Sequence, residues 1–264
     1  MLQFEIPIVM DFKKGKDIHI KLIGDLHYGS RQFSQKRWDD FKSTITDEDY
    51  FICVGDLIDN GTLNAPGASM YEQQVPVGEQ KEWLYNELKP YVGRFIACVP
   101  GNHELRSKKL AGQDILYDVF CRLKEEDHYR PSMAVCILRF GQKESTNSET
   151  RPTYKVVVGH GVGGGMYIGS GANRLERFVT ISNADLLISG HTHKPLTFPT
   201  SSLWIDTHNK KTHEQPHTVV VCSSFLDYGG YALDKFLPPT AKCFQEITLS
   251  ANGKAVSVNQ ITKG

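Results

Sequence analysis

Short apolar runs in this sequence end repeatedly in a glycine followed by aspartate, asparagine or histidine. In the first half, Ile18–Ile23, Phe51–Val54 and Phe95–Val99 are runs of the kind typical of buried strands. Helical periodicity follows them, from Val77 to Tyr91 and again from Leu110 to Leu123. This alternation predicts an α/β fold in which helices cover a sheet.

The second half of the chain is richer in strands. The predicted strands are Met133–Phe140, Tyr154–Val158, Asp185–Ile188, Thr218–Val221, Phe244–Leu249 and Ala255–Ile261. The dipeptide Asn252-Gly253 between the last two is a strong hairpin signal. Polar stretches at 142–152 and 206–216 are predicted to be exposed loops. Together these patterns predict two mixed β-sheets flanked by helices.

Length and composition predict one globular domain. At 264 residues, with 40% hydrophobic and 23% charged residues, the chain can bury a sizeable core, which excludes a fibre, a coiled coil or a disulfide miniprotein. Thirty basic and 30 acidic residues give a net charge of 0, so no global positive field attracts nucleic acid or membrane. We expect residues 1–264 to form a single domain, with a motif core at 24–193 and strands in 194–264 completing the second sheet.

Several observations predict a cytoplasmic protein with no membrane contact. No apolar run approaches the about 20 residues that span a bilayer, and the N-terminal segment meets charge too early for a signal-peptide core. The six cysteines include no CxxC pair, which favours buried thiols over disulfides or a zinc site. The oligomeric state is left open.

Metal-ligand residue types fall at five predicted strand ends, and the carboxyl ends of strands in an α/β sheet lie along one edge. Carboxylate, imidazole and amide donors suit manganese, iron or zinc. A single zinc ion needs only three or four ligands, so the larger set predicts two metal ions with Asp56 between them. The candidate ligands are Asp25, His27, Asp56, Asn102, His160, His191 and His193.

Five ordered blocks carry a resemblance to a known family: GDLHYG at 24–29, GDLID at 55–59, GNHE at 101–104, GHG at 159–161 and GHTH at 190–193. They resemble the motifs of the calcineurin-like metallophosphoesterases. The resemblance implies a four-layer α/β/β/α sandwich and two divalent metal ions, with manganese the first choice and iron or zinc the alternatives. By motif position, one ion would be held by Asp25, His27, Asp56 and His193, and the other by Asp56, Asn102, His160 and His191.

The resemblance also implies hydrolysis of a phosphoester. Two cations about 3.5–4 Å apart clamp a phosphate and make hydroxide available near neutral pH. His103 is the candidate general acid, oriented by Asp59, and Asn102, His103 and Arg106 are candidate substrate contacts. The glycine-rich segment 161–171 is either a mobile loop facing the substrate or a plain connection. Tyr28, Tyr228 and Tyr231 are candidates to stack on a base, with ordinary packing as the alternative.

Departures from the branches of the family favour a phosphodiesterase or nuclease. Protein Ser/Thr phosphatases carry arginine after the second block, where this chain has Asn60, and they lack the paired GHxH ending. The expected substrate is therefore a nucleic acid or a nucleotide, although GNHE replaces the GNHD usual in that branch. The alternatives are a phosphomonoesterase, acting on a small molecule or a phosphoprotein, and a non-catalytic binding protein, against which the intact ligand set argues.

Overall fold

Two stacked β-sheets form the centre of the fold. The computed structural model describes residues 6–63, 65, 73–141, 151–163 and 168–262. The strands are β1 Ile8–Phe12, β2 Ile18–Ile23, β3 Asp49–Cys53, β4 Phe95–Cys98, β5 Met133–Phe140, β6 Thr153–Gly159, β7 Leu186–Ser189, β8 Leu196–Asp206, β9 Lys211–Val221, β10 Cys243–Leu249 and β11 Val256–Thr262. The α-helices are α1 Gln35–Lys42, α2 Val77–Leu88, α3 Glu104–Ala111, α4 Ile115–Leu123, α5 Ile168–Thr180 and α6 Tyr231–Asp234, with short 3₁₀ helices at Lys89–Tyr91 and Glu126–His128.

Both sheets are mixed. One has the strand order β1-β5-β6-β7-β9-β8, in which β6, β7 and β9 are parallel. The other has the order β11-β10-β2-β3-β4, in which β2, β3 and β4 are parallel. The predicted hairpin at Asn252-Gly253 is confirmed, because β10 and β11 pair in antiparallel fashion.

Side-chain alternation along the strands sorts the core into layers. In β2, Ile20 and Leu22 pack between the two sheets, whereas Ile23 faces the aromatic cluster under helices α1, α2 and α4. On the other side of the molecule, Val179 of α5 packs against Leu187 of β7. The order helix, sheet, sheet, helix is the predicted α/β/β/α sandwich, which is thereby confirmed.

Two local predictions were wrong. Most of the stretch 206–216 is not a loop but belongs to β8 and β9, which pair over their full length. The far end of this hairpin extends beyond its contact with β7, and within it residues 206–216 are mostly exposed and polar, so they look like a loop in the sequence. The stripe from Leu110 to Leu123 is two helices, because Gly112 ends α3 with a φ of 70° and Asp114 caps α4.

The glycine-rich segment is only in part a loop. Gly169 and Gly171 lie in α5, so this half of the segment is helical. Residues 164–167, and residues 142–150 of the other predicted loop, lie outside the described residues. Within the described ranges, no helix combines the length and apolar character needed to cross a membrane.

Candidate metal centre

The predicted ligands converge where the ends of strands from both sheets meet. Asp25 and His27 follow β2, Asp56 follows β3, and His160 follows β6. The imidazole Nδ1–H of His160 donates to the Val54 carbonyl across the interface, at 2.6 Å. This hydrogen bond fixes the tautomer and leaves Nε2 of His160 available as a donor atom for a cation.

The first group of donors contains Asp25, His27 and His193, whose donor atoms all lie within 4.8 Å of one another. The Nε2 atoms of the two histidines face each other at 3.0 Å, and Nε2 of His193 lies 3.5 Å from Oδ1 of Asp25. Two imidazole nitrogens bound to one cation at about 2.1 Å would stand at a similar separation. Asp25 is further fixed by the backbone N–H of His191, at 2.9 Å.

The second group contains Asp56, His160 and His191. Nε2 of His160 lies 3.2 Å from Nδ1 of His191 and 3.2 Å from Oδ1 of Asn102. The structure therefore brings the predicted second set of four residues together.

Asp56 lies between the two groups. Its Oδ2 is 3.1 Å from Nε2 of His160 in one group and 3.7 Å from Nε2 of His27 in the other. Its Oδ1 accepts a hydrogen bond from the backbone N–H of His103, at 2.8 Å. One carboxylate oxygen is thus fixed by the backbone while the other faces both groups, which is the arrangement that a bridging ligand needs.

The backbone is left-handed at most of these positions. Non-glycine residues rarely adopt positive φ, at a cost of order 1–3 kcal/mol each, and such residues cluster at functional sites. The φ values are 49° at Asp25, 49° at His27, 52° at Asp56, 69° at His191 and 57° at His193. The sharp turns aim successive polar side chains into one space rather than onto opposite faces of an extended strand.

The buried charges fit divalent cations. Asp25, Asp56 and Asp59 are 0%, 2% and 3% exposed, and buried carboxylates are costly unless positive charge compensates them. Burial would raise the pKa of Asp56, but the neighbouring His160 and His103 lower it well below its ordinary value. A site that keeps the Asp56 carboxylate ionised favours cations, and its oxygen and nitrogen donors match manganese, iron and zinc.

The histidines differ in protonation. Burial, followed by the charge of His103, lowers the pKa of His27 well below its ordinary value, so His27 is neutral, as a metal-binding imidazole has to be. Burial also lowers the pKa of His160, but Asp56 and Asp25 more than offset it and raise the pKa to about 10. The pocket around His160 therefore favours positive charge, which a cation supplies when it takes the place of the proton.

Comparison with known proteins decides the family. The calcineurin-like phosphoesterase family model matches residues 18–195, a range that contains all the donors described above. The chain belongs to the calcineurin-like phosphoesterase family. No curated protein matches the sequence.

Solved structures similar to this phosphoesterase are distant in sequence. Vacuolar protein sorting 29 from Cryptosporidium parvum is 14% identical, with 94% of this chain and 99% of that chain covered and a TM-score of 0.43. A predicted phosphoesterase from Streptococcus pneumoniae is 13% identical, with coverage of 93% and 98% and a TM-score of 0.35. A protein serine/threonine phosphatase from Saccharomyces cerevisiae is 12% identical, with coverage of 98% and 85% and a TM-score of 0.39.

In this phosphoesterase, His103 lies beside the donor groups in a hydrogen-bonded cluster. Its Nδ1–H donates to the backbone carbonyl of Asp59 at 2.6 Å, and Oδ1 of the Asp59 side chain lies 3.4 Å from the same nitrogen. Arg106 donates to Nε2 of His103 at 2.9 Å and to the Asp59 carbonyl at 3.0 Å. Burial lowers the pKa of His103, but Asp56 and the hydrogen-bonded Asp59 side chain together outweigh burial, and the pKa is raised overall.

Asn60 supports this cluster in a way that the sequence did not predict. The side chain is buried, its amide donates to the His103 carbonyl at 2.7 Å, and its oxygen accepts from Ser107 at 2.9 Å. Asn60 thus joins the loop after β3 to helix α3. Its position directly after the GDLID block was the only sequence signal.

The centre of the phosphoesterase opens into a cavity of about 620 Å³. Residues of segment 224–242, which includes α6, form part of the cavity wall together with residues of the donor groups. Tyr228 and Tyr231 lie on this wall and are about half exposed. Tyr28 is not on it, because its ring stacks on Trp83 with centroids 3.7 Å apart. The basic lining residues are Arg106, Lys194, Lys235 and Lys242.

Proposed function

We propose that this member of the family is a phosphodiesterase that holds two divalent cations and hydrolyses nucleotide or nucleic-acid substrates. The observation that carries the proposal is the position of Asp56, whose Oδ2 faces histidines of both donor groups at 3.1 and 3.7 Å. A shared carboxylate between two N/O donor groups is typical of two-metal hydrolytic sites.

Each cation has four proposed ligands in this chain. One would be held by Asp25, His27, Asp56 and His193, and the other by Asp56, Asn102, His160 and His191. Two bound divalent cations supply Lewis acidity towards the phosphoryl oxygens and lower the pKa of water so that it can attack near neutral pH. Manganese is our first choice, and the donor set also suits iron and zinc.

His103 is the proposed proton donor to the leaving oxygen. The Asp59 carbonyl holds Nδ1–H, so a proton transferred to the substrate leaves from Nε2. Arg106 occupies that nitrogen in this structure. We propose that the guanidinium moves from Nε2 to a phosphate oxygen when substrate binds, because arginine pairs more strongly with an anionic phosphate than with a neutral imidazole. Nε2 then takes up a proton from solvent, and the resulting imidazolium gives that proton to the leaving oxygen.

The cavity supports a substrate with a planar group beside the phosphate. Half-exposed tyrosine rings offer a stacking surface for a base, and lysines on the same wall offer charge to further phosphates. The cavity volume of about 620 Å³ leaves room for groups on both sides of a phosphodiester. This wall is local, so it is compatible with a chain whose net charge is 0.

Parallel hydrolysis of bis-p-nitrophenyl phosphate and p-nitrophenyl phosphate tests the proposal. Metal-stripped protein is reloaded separately with manganese, zinc or magnesium, and kcat/KM is measured for each ester. Asp56→Asn and His103→Ala are the active-site variants. His213→Ala is the matched control, since His213 lies exposed on β9 and does not line the cavity.

We expect a higher kcat/KM for the diester and loss of activity in Asp56→Asn but not in His213→Ala. His103→Ala should lose much less activity on these two esters, because p-nitrophenolate is a good leaving group that needs little protonation. A preference for the monoester would move the chain to the phosphomonoesterase alternative. Bound metal without hydrolysis of either ester would favour a non-catalytic binding protein. A diester preference would then be followed by single-stranded, double-stranded and cyclic substrates.

We propose one domain over residues 1–264 and a cytoplasmic location. Fractionation of cells that express the tagged protein tests the location, and limited proteolysis tests the domain, because a single domain is expected to lose loops before it separates into stable halves.

A further inference from the structure

Glu104, the first residue of α3, is a buried carboxylate between two loops of the site. It is 1% exposed. Its Oε2 accepts hydrogen bonds from the backbone N–H groups of Gly101, at 2.8 Å, and Asp56, at 2.9 Å. Its Oε1 accepts from Leu57, at 2.6 Å, and Ile58, at 3.2 Å. One side chain therefore joins the loop after β3 to the loop after β4.

The two loops touch at these hydrogen bonds. A Cβ atom at Gly101 would lie 2.1 Å from Oδ1 of Asp56, and a Cβ atom at Gly55 would lie 2.2 Å from the backbone nitrogen of Gly101. Gly55 has a φ of +85°, which glycine adopts at no steric cost. Close contact brings the loops together, and the Glu104 carboxylate fixes their relative position.

The hydrogen bonds of Glu104 hold the backbone at or next to the candidate ligands. Asp56 has a left-handed backbone, with a φ of 52°, and such a conformation persists only where the surroundings hold it. The N–H groups of Asp56 and of the next two residues all donate to Glu104. On the other loop, Gly101 immediately precedes Asn102. A shift of either loop would move the Asp56 carboxylate relative to the Asn102 amide.

We infer that Glu104 is a positioning residue, which sets the bridging carboxylate of Asp56 in register with Asn102 for the second cation. The inference rests on the proposed function, because it takes both residues as ligands. It assigns no contact with substrate to Glu104. Its consequence is that Glu104 contributes to metal affinity and not merely to folding.

Two substitutions separate the parts of this role. Glu104→Gln keeps the side-chain length but replaces one acceptor oxygen with an NH₂ group, which confronts two backbone donors. Glu104→Asp keeps the charge but shortens the side chain, so that it cannot reach both loops. Glu125→Gln is the matched control, because Glu125 is a buried carboxylate that accepts from the backbone N–H of Gly93 away from the site.

The affinity of metal-stripped protein for Mn²⁺ is measured by calorimetric titration, together with thermal unfolding of each variant. Loss of an outer contact that orients metal ligands typically weakens affinity about 10–100-fold. We expect Glu104→Gln and Glu104→Asp to weaken Mn²⁺ binding at least about tenfold, within that range. Glu125→Gln should lower Tm without changing the affinity.

Wild-type affinity in the Glu104 variants would overturn the inference, even if their Tm falls, because a purely structural role predicts that result. If both variants fail to fold, amide exchange of the wild-type chain with Mg²⁺ or Zn²⁺ decides. The amides of Asp56, Leu57, Ile58 and Gly101 should gain protection on metal binding while Gly93 does not. Equal change at Gly93, or no change at the four amides, would overturn it.

The Mn²⁺ titration and the ester-hydrolysis assay together separate this inference from the proposed function. Wild-type protein that binds Mn²⁺ but hydrolyses no ester contradicts the proposed function and leaves the positioning role standing. Wild-type protein that hydrolyses esters, with full metal affinity in Glu104→Gln, contradicts the positioning role alone. Wild-type protein that binds no cation contradicts both.

Discussion

The position of Asp56 predicts that one substitution removes the stabilisation that metal ions give to the whole site. Oδ1 accepts from the His103 backbone, whereas Oδ2 faces His160 and His27. Asparagine can keep its oxygen at the Oδ1 position and so preserve the backbone hydrogen bond. It then presents an NH₂ group to both donor groups in place of the shared ligand oxygen. We expect Asp56→Asn to fold but to bind cations poorly at both positions.

The magnitude follows from ligand linkage. A cation at one hundred times its Kd stabilises the folded state by about 2.7 kcal/mol per site. For a chain of 264 residues, each kcal/mol corresponds to a Tm shift of about 2–4 °C. One site therefore predicts a rise in Tm of about 5–11 °C on metal addition, and the shared carboxylate predicts that Asp56→Asn loses this rise at both sites.

Thermal unfolding followed by circular dichroism measures the effect, with chelator-treated and Mn²⁺-loaded samples of each protein. Asp47→Asn is the control, because Asp47 is an exposed aspartate and should retain the full metal-induced rise. The reasoning fails if Asp56→Asn keeps the wild-type rise in Tm, or if chelation leaves the wild-type Tm unchanged.

Three further predictions follow from other residues. His103→Ala should lower kcat about 10²–10⁴-fold for esters with poor leaving groups while elemental analysis finds unchanged metal content; loss of metal would contradict this role. Tyr154→Phe should lower the free energy of unfolding by about 1–3 kcal/mol in denaturant titration, since the buried hydroxyl accepts from the Ala255 N–H at 2.9 Å; a change within error would contradict it. Tyr231→Ala should raise KM for substrates that carry a base but not for methyl p-nitrophenyl phosphate. The control Tyr117→Ala, at an exposed tyrosine, should leave the KM of both kinds of substrate unchanged.

Sequence patterns predicted the parts of the fold in which local and global preferences agree. Strands Ile18–Ile23 and Met133–Phe140 were predicted to the residue, because short β-branched runs bounded by polar residues leave little choice of structure. The candidate ligands came together because each follows a strand directly, so the topology of two sheets was sufficient to bring them to one edge. Most of the candidate site could therefore be predicted from local sequence patterns at the strand ends.

The features that were missed depend on which strand or loop a residue meets in the fold. Residues 206–216 have the composition of a loop, and only pairing with β8 makes most of them a strand. Glu104 looks like an ordinary surface residue at the start of a helix, yet it accepts from backbone donors 46–48 positions away. Charge and periodicity report local preference, and neither reveals which loop a side chain will meet.

The residues that line the cavity give more information about substrate size than the donor groups do. Among the residues that the structure describes, the basic ones that line the cavity are Arg106, Lys194, Lys235 and Lys242, and Lys242 is paired with Asp227 at 3.0 Å. Affinity for a single-stranded polymer depends on how many phosphates are neutralised, with a salt slope of about −0.7 for each one. These four basic groups can engage only a few phosphates, and the chain as a whole has a net charge of 0. If the proposed function holds, we therefore expect a nucleotide or a short oligonucleotide to be a better substrate than a long polymer, and we expect stacking on Tyr228 and Tyr231 to contribute more to selectivity than charge.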